Sequence, residues 1–268
     1  MLVFLLLADL SLRSIQLLFF RATPSPSQSV SQDPWEIIQK SGVLMVGTSS
    51  GYPPFEDYTN TSNLDGYDIA LAYELGKKLG VQVSIQDIPF DSLQSALQNN
   101  QIDLALAAIS VTSEREQMMA FSNVYFVGSD GVLAQKGSPI TSVTSVQGFA
   151  NLRLGVEKGT VFQTWAQDNL VNTGLIAPGQ LLTYAQAKDA VNDLSLGNLD
   201  LVLMDLQPAT AATSFYQVSL VGQGFSQQRM AAAMKLGAVE LTAKVNDALL
   251  QLQNEGVLDA LQKEYLQN

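Results

Sequence analysis

The sequence predicts an α/β fold of two similar lobes, each containing a parallel sheet. From Trp35 onward, short apolar runs alternate with helical patterns, as they do in chains built from βαβ units. Two pairs of segments also repeat one pattern, namely NNQIDLALA at 99–107 with LGNLDLVLM at 196–204, and VLMVGTS at 43–49 with LRLGVEKGT at 152–160. The spacing is too irregular for a solenoid, so we interpret the repetition as two lobes.

The predicted elements follow from hydrophobic periodicity. A helix is predicted at Gly66–Leu79, stopped by Gly80, and two helices are predicted over Glu240–Leu266, broken at Gly256. The apolar runs predict six strands, at Val43–Thr48, Val81–Ile88, Ile102–Ala108, Arg153–Val156, Leu181–Tyr184 and Leu199–Met204.

Composition limits the possible functions. The 268 residues are 47% hydrophobic and 15% charged, which is typical of a globular protein. Lysine and arginine number 14 against 25 acidic residues, a net charge of 14 − 25 = −11, which argues against nucleic acid as a partner. The sequence contains neither cysteine nor histidine, which excludes thiol nucleophiles, Cys/His zinc sites and Ser-His-Asp triads. No cofactor or metal is predicted.

The first 34 residues have a different character from the rest. Residues 1–20 are strongly apolar but are interrupted by Asp9 and Arg13, and a Ser/Pro-rich stretch follows at 22–31. We expect an export signal or a weak membrane tether followed by a linker. A misassigned start codon and an amphipathic surface helix are the alternatives.

Polar residues directly after the strands are the candidates for a binding site, because ligands of open α/β sheets collect at the carboxyl ends of the strands. Four segments occupy such positions, at Ser49–Phe55, Ala108–Arg115, Glu157–Phe162 and Asp205–Gln207.

Arg115 is a candidate carboxylate receptor. Ser113 and Glu116 fit a capping box, which predicts a helix that begins at residue 112 or 113. Arg115 would then lie in the first turn, where a cation is disfavoured unless function compensates, beside free N–H groups and the Ser110 hydroxyl. The alternative is an arginine offset by the two adjacent glutamates or paired at the surface.

Asp205 has the complementary charge. It follows the apolar run LVLM directly, where an unpaired carboxylate is costly if it is buried, and a ligand ammonium would satisfy it. The alternative role is capping of a helix that begins near Gln207.

Two further segments could contact a ligand. Pro53 and Pro54 hold Tyr52 in a rigid turn, so its ring could form one wall of a site and Phe90 the facing wall, although aromatic residues are more often core. Gly159 lies at a helix start that could bind an anionic group, without the spacing of a phosphate-binding P-loop.

Together these segments resemble the polar amino-acid receptors of ABC importers, bacterial extracellular solute-binding proteins of family 3 with the type II periplasmic-binding-protein fold. The resemblance covers about Trp35–Leu266 and rests on the sequences VGTSSGYPPFEDY, GYDIALAYELGKKLGV, PFDSLQSALQNNQIDLALAAISVTSEREQMMAFS, VEKGTVF and LDLVLMD. The order Ser-x-Thr-x-x-Arg is its most diagnostic part.

The resemblance implies a role for each matched residue. The ligand carboxylate is bound by one set: Arg115, Ser110, Gly159 and Thr160. The ligand ammonium is bound by the Asp205 carboxylate and the Ala108 carbonyl. The ligand side chain packs on Tyr52 and Phe90.

The resemblance also implies two Rossmann-like lobes joined by a two-strand hinge near Ser129–Ala134 and Arg229–Ala233. Lobe 1 would comprise residues 35–130 and 232–268, and lobe 2 would comprise residues 131–231.

The sequence departs from the family pattern at two positions. Many relatives carry an aspartate where this chain has Ser49, and a polar residue is common at the position of Val161. Both changes predict a ligand with a neutral side chain.

We therefore expect a monomeric periplasmic or otherwise extracytoplasmic protein that binds a free L-amino acid and delivers it to an ABC transporter permease. A dehydratase of the cyclohexadienyl or arogenate type is one alternative, but Pro208 occupies the place of its acidic glutamate. A membrane-tethered amino-acid sensor is the other.

Overall fold

The computed structural model describes residues 33–60 and 62–267. The predicted export signal or tether falls on residues 1–34 and therefore lies almost wholly outside the described residues. Among the described residues, no helix is both long and apolar enough to cross a membrane.

The described residues form a mixed sheet of eight strands with the spatial order β4-β1-β5-β10-β6-β9-β7-β8, and a small hairpin of β2 and β3. In chain order the strands are β1 (Val43–Thr48), β2 (Asp57–Tyr58), β3 (Leu64–Asp65), β4 (Gln82–Asp87), β5 (Leu104–Ala105), β6 (Met119–Gln135), β7 (Leu154–Glu157), β8 (Leu181–Tyr184), β9 (Leu201–Asp205) and β10 (Val218–Lys235).

Two groups of parallel strands define the lobes. In lobe 1, β1 pairs with β4 and β5, and in lobe 2, β7 pairs with β8 and β9. The predicted α/β fold with two parallel groups is confirmed. The lobe bounds given above stay a prediction.

The long strands β6 and β10 connect the lobes. They are antiparallel to each other, and they also pair with β9 and β5, respectively, so the hydrogen bonds of both lobes form one continuous sheet. Their register shifts between Gln223 and Gln227, close to the position predicted for the hinge. A break in the ladder of the two connecting strands is a place where one lobe can rotate against the other.

Helices cover both faces of each parallel group, as a buried parallel sheet requires. Helices α1, α2, α3, α7 and α8 belong to lobe 1, and α4, α5 and α6 to lobe 2. Their bounds are α1 Pro34–Ser41, α2 Tyr67–Leu79, α3 Leu93–Gln98, α4 Val161–Ala166, α5 Ala187–Ser195, α6 Leu206–Phe215, α7 Val239–Asn254 and α8 Val257–Tyr265.

Two sequence predictions need correction. The strand predicted at Ile102–Ala108 is only the two-residue β5, because the chain leaves the ladder and reaches a left-handed backbone conformation at Ala108 (φ 46°). The capping box of Ser113 and Glu116 is wrong: the Thr112 hydroxyl accepts from the Arg115 N–H (3.2 Å), and only a three-residue 3₁₀ turn follows before β6. Because no α-helix begins there, the argument that Arg115 is a disfavoured cation in the first turn of a helix is also wrong.

Candidate ligand-binding site

A small cavity lies between the lobes at the ends of β1, β5, β7 and β9. Its volume is about 20 Å³, which is room for roughly one water molecule, so the lobes are closed and must separate to admit a larger guest. Nine of the ten predicted site residues line it: Ser49, Tyr52, Phe90, Ala108, Ser110, Arg115, Thr160, Val161 and Asp205.

Arg115 reaches across the cleft from lobe 1. Its guanidinium donates to the carbonyl oxygens of Ser110 (2.7 Å) and Gly159 (3.0 Å), and it lies 5.5 Å from the ring centroid of Phe90. Burial lowers the pKa of Arg115 to about 10. Arg115 makes no salt bridge with any residue that the structure describes. A half-buried guanidinium whose protein partners are carbonyls can still bind an anion, and a carboxylate fits its geometry.

Asp205 projects into the same cavity from lobe 2. It is 3% exposed, and its Oδ2 accepts from the Tyr52 hydroxyl (2.7 Å), which in turn accepts from the Asp205 backbone N–H (2.9 Å). Asp205 occupies the N-cap position of α6, yet its side chain makes no capping hydrogen bond, so the alternative role of helix cap is not realised. Its Oδ1 is buried without a partner.

The pKa of Asp205 is raised to about 7, chiefly because burial disfavours the charged form. The hydrogen bond from Tyr52 and the charge of Arg115 oppose this shift. Arg115 and Asp205 therefore face one cavity from opposite lobes. Arg115 can still pair with an anion, and the Asp205 carboxyl can still accept a hydrogen bond.

Ala108 is held by a buried carboxyl from α2. Its N–H donates to Asp68 Oδ2 (2.6 Å), which also accepts from the Tyr125 hydroxyl (2.9 Å). Burial and the charge of Asp68 raise the pKa of Glu56 well above its usual value, so Glu56 is protonated and can donate to the Asp68 carboxyl. This network supports the left-handed conformation of Ala108, which is uncommon for a residue other than glycine.

The aromatic and small residues occupy the places expected of a side-chain pocket. Tyr52 is 8% exposed and stacks on Phe55, with 6.3 Å between ring centroids. Ser49 is buried, and its hydroxyl has no hydrogen-bond partner.

Gly159 is the predicted residue that does not line the cavity. Its N–H donates to Gln163 Oε1 (2.8 Å) and its carbonyl accepts from Arg115. Thr160 caps α4, and its hydroxyl donates to the Glu157 carbonyl (2.7 Å). Beside this turn, Lys158 forms a salt bridge across the cleft with Asp91 (2.8 Å).

Comparison with known proteins assigns the family. The family model for bacterial extracellular solute-binding proteins, family 3, matches residues 44–268. The chain belongs to this family. The L-cystine-binding protein TcyJ of Escherichia coli (strain K12) is 26% identical over 230 residues, covering 85% of this chain and 84% of the relative.

Two solved structures extend the family assignment. An ancestral arginine-binding protein bound to arginine is 29% identical, with a TM-score of 0.78, and the alignment covers 84% of this chain and 98% of that one. The ancestral amino acid-binding protein AncCDT-1, described as a precursor of cyclohexadienyl dehydratase, is 26% identical, with a TM-score of 0.79, covering 87% and 99%. The prediction of a solute-binding protein with the type II periplasmic-binding-protein fold is confirmed.

The solute-binding relatives also bear on catalysis. The named curated relatives are binding proteins, which confirms the prediction of a protein that is not an enzyme. Pro208 lies in the first turn of α6 and has no ionisable group to transfer a proton.

Four described residues that line the cavity of this solute-binding protein were not singled out by the sequence analysis, although two of them bound the candidate segment 157–162: Glu56, Ala107, Glu157 and Phe162. Glu157 shares the sequence feature for which Asp205 was chosen, because each is a carboxylate that directly follows an apolar run and ends a strand. Glu56 lies one residue beyond a segment that was considered, and only its contact with Asp68 reveals it.

Proposed function

We propose that the protein is an extracytoplasmic receptor that captures a free L-amino acid and presents it to the permease of an ABC importer. The observation that carries the proposal is a pair of complementary groups on opposite lobes, the half-buried Arg115 and the buried Asp205. Among the described residues, the Arg115 guanidinium has no ion-pair partner, and one oxygen of the Asp205 carboxyl has no hydrogen-bond partner.

An amino-acid zwitterion matches this pair. Its carboxylate would accept from Arg115 with the help of Ser110 and Thr160, and its ammonium would donate to Asp205 and the Ala108 carbonyl. To reach Asp205 the ammonium must take the place of the Tyr52 hydroxyl on Oδ2 or bind at the unpartnered Oδ1. Because the ligand bridges both lobes, it binds the closed form more tightly than the open form, and this difference drives closure.

The family description and the relatives support the transport role. The family is extracellular, and its named relatives bind cystine, arginine or histidine. We propose that the protein acts as a monomer outside the cytoplasm. The tethered-sensor alternative depends on residues 1–32, which lie outside the described residues.

The prediction of a neutral ligand side chain stays a prediction. It rested on Ser49 and Val161, whereas Glu56 and Glu157 also line the cavity and weigh against it.

Isothermal titration calorimetry against the twenty amino acids tests the proposal. We expect at least one free L-amino acid to bind in the micromolar range or tighter, and its D-enantiomer or its methyl ester to bind far more weakly. Failure of every free amino acid to bind would contradict the function. A reduction of the radius of gyration on binding, measured by small-angle X-ray scattering, would demonstrate closure.

A further inference from the structure

Carboxyl groups outnumber cations around the cavity. Of the described residues that line it, three carry carboxyl groups, Glu56, Glu157 and Asp205, and one carries a cationic group, Arg115. An amino-acid zwitterion brings one charge of each sign, so its backbone alone leaves this imbalance unchanged. The surplus acid groups must be either protonated or matched by a further positive charge on the ligand.

Two of the three acids are already accounted for. Asp205 faces the ligand ammonium in the function proposed above. Glu56 is 1% exposed, and burial and the charge of Asp68 raise its pKa well above the usual value, so Glu56 is protonated. The one charge of the pair stays on Asp68, which accepts from the Ala108 N–H and the Tyr125 hydroxyl. Glu157 is the acid that remains.

Glu157 has acidic neighbours and no basic partner. It is the last residue of β7, lines the cavity and is partly buried, and its ionised form is opposed by the charges of Asp205, Asp91 and Asp189. The Ala187 N–H is the donor that favours its charged form. No described lysine or arginine forms a salt bridge with it, and the adjacent Lys158 pairs with Asp91 instead.

The pKa of Glu157 reflects this environment. Burial, and then the charge of Asp205, raise it to about 8, so the carboxyl is mainly protonated at neutral pH unless a cation lies beside it.

Ser49 provides an independent observation in the same cavity. Its side chain is 4% exposed, and its hydroxyl oxygen has no hydrogen-bond partner. A buried hydroxyl without a partner costs free energy, and an N–H donor from a ligand would satisfy it. The hydroxyl and the Glu157 carboxyl approach the cavity from lobes 1 and 2, respectively.

We propose that Glu157 and Ser49 form a subsite for a positively charged group, an ammonium or a guanidinium, on the side chain of the ligand. The inference rests on the amino-acid-binding function proposed above and assigns its substrate class. The cation pairs with the one acid that lacks a counter-charge, and the Ser49 oxygen accepts a second N–H from it.

Matched pairs of ligands test the subsite. Citrulline has the length and shape of arginine without its charge, and norleucine serves the same purpose for lysine. Calorimetry at pH 7 would compare arginine, lysine and ornithine with these neutral partners. We expect at least one cationic amino acid to bind on the order of 10- to 100-fold more tightly than its neutral partner.

The variant Glu157→Gln tests the residue assignment. It keeps the shape of the side chain and should reduce the cation-to-neutral ratio to about threefold or less, since the counter-charge is gone. Glu240→Gln is the matched control, because it also removes one negative charge but lies on the exposed start of α7. It should leave the ratio unchanged.

Proton release gives a readout that needs no variant. Calorimetry at pH 7 in two buffers of different ionisation enthalpy measures the protons released on binding. A cationic ligand should release up to one proton more than a neutral partner, because it holds Glu157 in the ionised form.

Three outcomes would overturn the inference. Equal affinity for a cation and its neutral partner would contradict it while leaving the amino-acid-binding function intact. If Glu157→Gln keeps the preference for a cationic ligand, Glu157 does not bind the cationic group. Failure of all free amino acids to bind would overturn the proposed function and this inference together.

Discussion

The repeated segments NNQIDLALA and LGNLDLVLM lead to residues of opposite charge. The first forms β5, leaves the sheet through the left-handed Ala108, and continues as a loop to Arg115. The second forms β9 and runs without a loop into α6, which puts Asp205 at the junction. Similar strands thus present a guanidinium from one lobe and a carboxyl from the other.

The difference arises from side chains that lie far away in the sequence. Asp68, on α2, binds the N–H of Ala108 and so directs the loop after β5. Tyr52, after β1, binds both the side chain and the backbone of Asp205 across the cleft. The comparison teaches that the local pattern determines the strand, while distant partners determine what its end presents.

The largest expected effect comes from removing either charge. Arg115→Ala or Asp205→Ala leaves one charge of the bound amino acid buried and unpaired, which should weaken binding by about 3–5 kcal/mol. Calorimetry with the best-bound amino acid measures the loss. Arg153→Ala and Asp200→Ala are matched controls, because these residues pair with each other on the exposed surface. Unchanged affinity in either cavity variant would show that the substituted residue does not bind the ligand.

A smaller effect is expected at the support of the first strand end. Asp68→Ala removes the acceptor of the Ala108 N–H and the Tyr125 hydroxyl, leaving two buried donors unpaired. We expect the free energy of unfolding to fall by about 2–3 kcal/mol, measured by urea denaturation. Asp247→Ala, on the exposed face of α7, should change it little. A loss as small as that of the control would show that Ala108 keeps its conformation without Asp68.

The smallest effect, counted for one carboxyl group over one pH unit, concerns pH. Burial raises the pKa values of Asp68 to about 6, Asp205 to about 7 and Glu157 to about 8, so the folded protein keeps protons that the unfolded chain loses above about pH 4. Its stability without added ligand should therefore fall as pH rises from about 4 to 8, by up to roughly 1.4 kcal/mol per pH unit for each group within its window.

Urea denaturation at pH 5 and pH 8 checks this slope. Asp205→Asn and Glu157→Gln should each flatten it between pH 5 and 8, since neither amide titrates. A stability that rises over this range would show that these carboxyl groups are ionised and paired in the folded protein.

Much of the site could be predicted because its residues follow apolar strands. Arg115, Asp205, Tyr52 and Ser49 all come from segments next to strand ends, and all line the cavity. The same rule applies to Glu157, which begins one of these segments but was not singled out as a site residue. The side-chain burial that raises its pKa cannot be read from the chain.

Hydrogen-bond partners could not be predicted in the same way. Ser113 and Glu116 match a capping box by spacing, but Thr112 makes the hydrogen bond and no α-helix follows. The pairing of Glu56 with Asp68, and that of Asp205 with Tyr52, joins residues whose spacing carries no periodic signal.

By itself the sequence determined the alternation of strands and helices, the two-lobed repetition and the polar residues at the strand ends, because hydrophobic periodicity and turn residues act over a few positions. Only the tertiary structure decided which of those polar residues face one another, which carboxyl groups keep a proton, and which charges lack a protein partner. These depend on burial and on contacts between segments up to 153 residues apart, such as Tyr52 and Asp205, and the free energy of a charge depends on what surrounds it in space.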